Sequence, residues 1–96
     1  MKLQSVSQSD RPGKKLKAVF KDEKTGRTKT THFGASGMDD YTKTHDKEQR
    51  ARYRARHSKD LKGDATKAGY LSYYILWGES TSVSTNVASY KSKFGF

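Results

Sequence analysis

Cysteine is absent from the 96 residues, proline occurs once, and no apolar run approaches the roughly 18 residues that span a bilayer. Without cysteine there is no disulfide framework and no thiolate metal site, a composition that suits a reducing compartment. Residues 1–10 lack the apolar stretch of a secretory signal and read as a flexible polar tail, and Lys2 in place of glycine excludes N-myristoylation. Large aliphatics are scarce, with Leu, Ile, Val and Phe together numbering 14. Acidic charge is short as well: 10 Asp and Glu face 20 Lys and Arg, for a formal net charge of +10. Few aliphatics with high net charge is the composition of disorder. Eleven aromatics (six Tyr, four Phe, one Trp) argue the other way, because each can bury roughly 150–250 Å².

What is present is partitioned. Residues 11–33 carry eight Lys/Arg and two acids, and residues 43–62 carry eight Lys/Arg and three acids. Seven of the eleven aromatics lie after residue 69. The chain therefore reads as a basic half built on an aromatic half, in one small domain over residues 11–96. An exterior this basic calls for a partner of opposite sign.

The element pattern is α+β. Leu16, Ala18 and Phe20 alternate with Lys15, Lys17, Val19 and Lys21, the period of a half-buried strand. A polar loop ending in Gly26 leads to a Thr-rich return run over residues 27–33, giving a β-hairpin. After the connector Gly34–Gly37, Thr44 is placed to cap a helix with Asp46 and Glu48 in its first turn and Arg56, His57 and Lys59 at its end. On that helix Arg50 and Arg54 form one stripe, Arg52 and Arg56 another, with Ala51 and Ala55 between them as a thin contact face. Tyr53 lies opposite, beside His57. A second helix, preferred over a strand, covers Lys67–Trp77, capped by Asp64 or Thr66, and is apolar nearly all round. Ser80 or Thr81 caps a third, with Val83, Val87, Tyr90 and Phe94 on one face. The expected fold is an N-terminal β-hairpin packed on a bundle of about three helices.

Candidate sites follow from the charge. His32, His45 and His57 are far apart and form no ligand pair, so no metal or other cofactor is expected. Asp39 and Asp40 are adjacent and would point apart on a regular element; with no nucleophile elbow and no Gly-rich phosphate loop, no enzyme activity and no small-molecule substrate are expected. The candidate anion- or partner-binding residues are Lys15, Lys17, Arg27 and Lys29 on the hairpin and Arg50, Arg52, Arg54, Arg56 and Lys59 on the helix. Arginine forks grip phosphate or carboxylate bidentately. No base-reading motif is present, so any nucleic-acid contact would be sequence-tolerant.

The stretch 40–94 resembles an uncharacterised family of small basic proteins encoded by large nucleocytoplasmic DNA viruses, including those of algae. The matching residues are Asp40-Tyr41-Thr42, His45, Asp46, Arg50, Tyr53, Arg56 and His57. They continue as Thr66, Ala68-Gly69, Leu71-Ser72, Ile75-Leu76-Trp77 and Tyr90-Lys91-x-Lys93-Phe94, with Phe33-Gly34 also fitting. The chain departs from that pattern at 60–65 and at Gly78-Glu79-Ser80, both between elements. The resemblance implies a non-enzymatic virion protein, present in the host cytoplasm or nucleus during assembly. One role is a minor capsid or shell component contacting acidic capsid protein or nucleic acid. The other is a nucleic-acid-binding protein that helps condense or package viral DNA, with DNA favoured over RNA. A membrane partner is not expected.

Overall fold

The computed structural model describes all 96 residues. Three antiparallel strands, β1 (Lys2–Gln8), β2 (Lys14–Lys21) and β3 (Thr28–Ala35), form a sheet in the order β1-β2-β3. A short helix α1 (Tyr41–Thr44) and the basic helix α2 (Lys47–His57) follow, with a 3₁₀ turn at Ser58–Asp60. Helix α3 (Ala68–Leu71) runs directly into a π-helical turn at Ser72–Leu76, and α4 (Val83–Phe94) closes the chain. The α+β class is as expected from the sequence, with a third strand and an extra short helix added. The radius of gyration is 13.0 Å, which is that of a folded chain of about 100 residues and far below the roughly 30 Å of an unfolded one.

The expected polar tail is the edge strand β1. Leu3 pairs with Phe20 and Val6 with Ala18, and the register shifts between Leu3 and Ser5. Residues three apart on a regular strand face opposite sides. The bulge absorbs one residue, so Leu3 and Val6 both turn toward the core, Leu3 fully buried. The far end of the chain secures the strand: Gly95 takes the left-handed conformation that ends α4, Phe96 N–H donates to the Lys91 carbonyl, and the Leu3 N–H donates to the Phe96 carbonyl at 3.2 Å. The Phe96 ring then meets Phe20 edge-on at 5.2 Å.

The core forms where the inner sheet face meets the second half of the chain. Ala18, Phe20 and Phe33 from the sheet pack with Leu71, Ile75, Leu76, Trp77 and Tyr90, and with Tyr41 of α1. Burying each large side chain contributes roughly 1.5–3 kcal/mol, so aromatic residues replace the missing aliphatics. The stretch expected as a second helix is helical, as preferred, but one residue wider in its second half: the Trp77 N–H bonds the Ser72 carbonyl at 3.0 Å. Neither Asp64 nor Thr66 caps it. Lys67 is the residue before its first turn, and Asp64 instead accepts from the Thr66 N–H. Likewise Asp46 rather than Thr44 caps α2, accepting from the Glu48 and Gln49 N–H groups, and Ser82 rather than Ser80 or Thr81 caps α4. No helix is long and apolar enough to cross a membrane.

Candidate polyanion-binding surface

Helix α2 has no buried residue and is held to the body by polar and aromatic contacts. The π-helical turn and the segment after it leave carbonyls without helical donors, as any helix end does. Arginines fill that need. Arg50 Nε donates to the Gly78 carbonyl at 2.6 Å, and Arg54 donates to the carbonyls of Trp77 at 2.8 Å and Tyr73 at 3.3 Å. The Arg54 guanidinium also lies over the Tyr73 ring, 4.1 Å from its centre, and Arg50 over Tyr41 at 5.5 Å. Between these two arginines Tyr53 is sandwiched, with His57 on one side at 4.1 Å and Trp77 on the other at 4.3 Å, the latter pair nearly parallel at 8°. Burial, aided by the Asp60 carboxylate, pushes the Tyr53 hydroxyl above the usual tyrosine range. The expected Tyr53–His57 neighbourhood is present.

This geometry inverts the expected contact face of the helix. Ala51 and Ala55 are exposed, and the inner face is Arg50, Tyr53, Arg54 and His57. Two alanines are too short to span the gap to the aromatic layer, whereas arginine stems can cover apolar surface while their heads reach carbonyls. Arg50 and Arg54 therefore leave the candidate binding set and become fold residues.

Three of the hairpin lysines are also engaged. Lys15 pairs with the buried carboxylate of Asp40 at 2.5 Å, and the Thr42 hydroxyl donates to the other Asp40 oxygen. Lys17 pairs with Asp10 at 3.6 Å. Lys29 reaches Asp64 at 3.2 Å and the Thr66 hydroxyl at 2.7 Å, which ties β3 to the loop before α3. The N–H and hydroxyl of Thr66, followed by Lys29, hold the Asp64 carboxyl below its ordinary value. Of the nine candidates, Arg27, Arg52, Arg56 and Lys59 stay exposed and their side chains make no hydrogen bond or ion pair within the chain. Arg27 stands apart in the β2–β3 loop, while the other three lie on α2 and the turn that continues it.

A cleft of about 540 Å³ lies beside this surface, between the connector after β3, α2 and α3. Tyr53, Arg56, His57, Met38, Lys14 and Ser72 are among its lining residues. Met38 is 63% exposed there, one of two large hydrophobics left open. His57 Nδ1 is 2.8 Å from the Asp60 carboxylate across one turn. The three histidines go to separate places, with His32 beside the Ser9 hydroxyl at 2.7 Å and His45 the left-handed residue that ends α1. No three His, Asp or Glu side chains converge. The sequence pattern did not anticipate the cleft or the buried Asn86. Asn86 donates to the Ile75 and Ser80 carbonyls at 2.8 and 2.7 Å and accepts from the Ser80 N–H at 3.0 Å. Its position between Val83, Val87 and Tyr90 on the apolar stripe of α4 was the available signal.

The model of a family of unknown function (DUF5754) matches residues 4–57, more than half of the chain. The chain belongs to that family. The matched span begins inside β1 and ends with α2, so it holds nearly the whole sheet and the basic helix. No curated protein and no solved structure matches the chain.

Proposed function

We propose that this chain is a non-enzymatic structural protein of a large DNA virus, a minor component of the virion that works by engaging a polyanion through its basic exterior. The observation that carries the polyanion is the division of labour among the cations. Of 20 Lys and Arg, three are ion-paired and two are spent on backbone carbonyls. The rest form no ion pair in the chain. A field of that sign, only half offset by the ten Asp and Glu, attracts acidic protein or nucleic acid. The viral setting rests on the resemblance over residues 40–94, and it carries the localisation with it: the virion, and the host cytoplasm or nucleus during assembly.

The test is fractionation of purified virus particles with detection of this chain by antibody. Recovery with intact, protease-washed particles is the expected result. Recovery only from infected-cell lysate, with none in particles, would remove the virion assignment.

A further inference from the structure

We propose that the outer face of α2 and of the 3₁₀ turn that continues it, carrying Arg52, Arg56 and Lys59, docks on the phosphate backbone of double-stranded DNA without reading its sequence. This deepens the reading above, since it rests on a polyanion being the partner, and it names both the partner and the site.

The spacing sets the geometry. Arg52 and Arg56 stand at i and i+4 on α2 and Lys59 follows in the 3₁₀ turn, so the three span roughly 10–12 Å at about 1.5 Å per α-helical and 2 Å per 3₁₀ residue. A DNA duplex carries about one negative charge per 1.7 Å of axis, so a stripe of that length meets several phosphates. Between and beside the arginines the exposed residues are Ala51 and Ala55, whose short side chains let the helix backbone come close to the duplex. Two of the three acidic groups near this stripe have other places. Asp46 is occupied capping the helix, and Asp60 holds His57. Glu48, one turn before Arg52, is exposed and makes no ion pair, so it is the one carboxylate on this face that opposes a phosphate backbone.

What the face lacks favours nucleic acid over acidic protein. Protein interfaces are anchored at their centre by buried Trp, Tyr and Arg, the arginines set among contacts that exclude water. The only aromatic of α2 is Tyr53, and both its faces are taken by His57 and Trp77. Phosphate contact needs no such anchor. Arginine can also pair with guanine edges, so sequence tolerance rests on Arg52 and Arg56 lying along the phosphates, and equal binding of unrelated duplexes is what that placement predicts.

The experiment is a binding titration of the full chain on 20-base-pair duplexes of two unrelated sequences at several salt concentrations, with polyglutamate as the competing polyanion. The wild-type chain is expected to bind both duplexes equally and more tightly than polyglutamate. The triple variant Arg52→Gln, Arg56→Gln, Lys59→Gln is expected to bind more weakly on both, with the log–log salt slope reduced by about 3, one unit for each phosphate that is no longer neutralised. Ala51→Glu with Ala55→Glu, which leaves every cation in place, is expected to block binding by charge and bulk, with the thermal midpoint of each variant reporting that the fold is kept. DNA binding with an unchanged slope in the triple variant would overturn the α2 face and leave the polyanion reading standing. Preference for polyglutamate would replace nucleic acid by an acidic protein. Binding to neither would overturn this inference and the polyanion reading together.

Discussion

The Arg54 side chain donates to the Trp77 carbonyl at 2.8 Å while its guanidinium rests 4.1 Å from the centre of the Tyr73 ring. One cation thus supplies the end of a π-helical turn and covers an aromatic face. A helix with no buried residue stays docked because two arginines of four point inward. Charge-assisted hydrogen bonds of this kind contribute roughly 1.5–3 kcal/mol each. Arg54→Gln is expected to lower stability in a urea titration by about that amount. Arg52→Gln, on the outward stripe, is expected to stay within about 0.5 kcal/mol of wild type. Equal losses at the two positions would contradict the inward–outward split.

The turn after the π-helical segment tolerates no side chain at Gly78. A Cβ there would stand 2.3 Å from the Tyr74 carbonyl oxygen and 2.7 Å from the Asn86 amide carbon. Neither can yield, since one is backbone and the other is fixed by three hydrogen bonds. Gly78→Ala is expected to cost about 1–3 kcal/mol or more through displaced backbone. Gly69, in the first turn of α3, is the internal control. Its nearest neighbour to an added Cβ is 3.7 Å away, so Gly69→Ala is expected to stabilise by about 0.5–1 kcal/mol through helix propensity. Thermal melts of the two alanine variants should move in opposite directions.

Three tyrosines should resist alkali. Tyr90 donates its hydroxyl to the Ala65 carbonyl at 2.6 Å, and burial, with the Asp64 charge adding to it, raises its pKa. Burial likewise raises Tyr53 and Tyr74. A phenol whose folded pKa lies above its unfolded value favours folding fully below the unfolded value, near 10. That contribution is lost as pH rises from there toward the folded value. Stability is therefore expected to fall as pH climbs past about 10, with part of the tyrosinate absorbance appearing together with unfolding. Tyr90→Phe should reduce the alkaline slope. Titration of all six tyrosines near 10 in a chain that stays folded would sink the expectation.

Much of the fold is legible in the sequence because its periods are unbroken. Leu16, Ala18 and Phe20 alternate cleanly, and Val83, Val87, Tyr90 and Phe94 keep helical spacing, so β2 and α4 form where the pattern puts them. The candidate site is less legible. Arginine has the same letter whether its head meets water or a carbonyl, and the carbonyls that claim Arg50 and Arg54 belong to Tyr73, Trp77 and Gly78, 19 to 28 positions away. Ala51 and Ala55 suggest a contact face because alanine is apolar, but depth of reach decides otherwise. Lys15 and Lys29 of the hairpin read as free surface because their partners, Asp40 and Asp64, sit beyond the turn that brings them back. The first strand is hidden by its own bulge: Leu3 and Val6 are three apart, a spacing that no alternating pattern contains.

That hidden strand yields the sharpest test of the fold. If residues 1–10 were a free tail, truncating any side chain there would leave stability unchanged. Leu3 instead is 3% exposed, opposite Phe20 and bonded through its N–H to the Phe96 carbonyl. Leu3→Ala is expected to cost about 2–5 kcal/mol, the range for a buried leucine that leaves a cavity behind. Gln4→Ala, at the exposed bulge position, is expected to change stability by less than about 0.5 kcal/mol. Amide exchange adds an independent readout. The N–H of Leu3 should be protected in wild type and lose that protection when Phe96 is removed, because the acceptor goes with it. A Leu3→Ala chain as stable as wild type would return this segment to the polar tail that its composition implies.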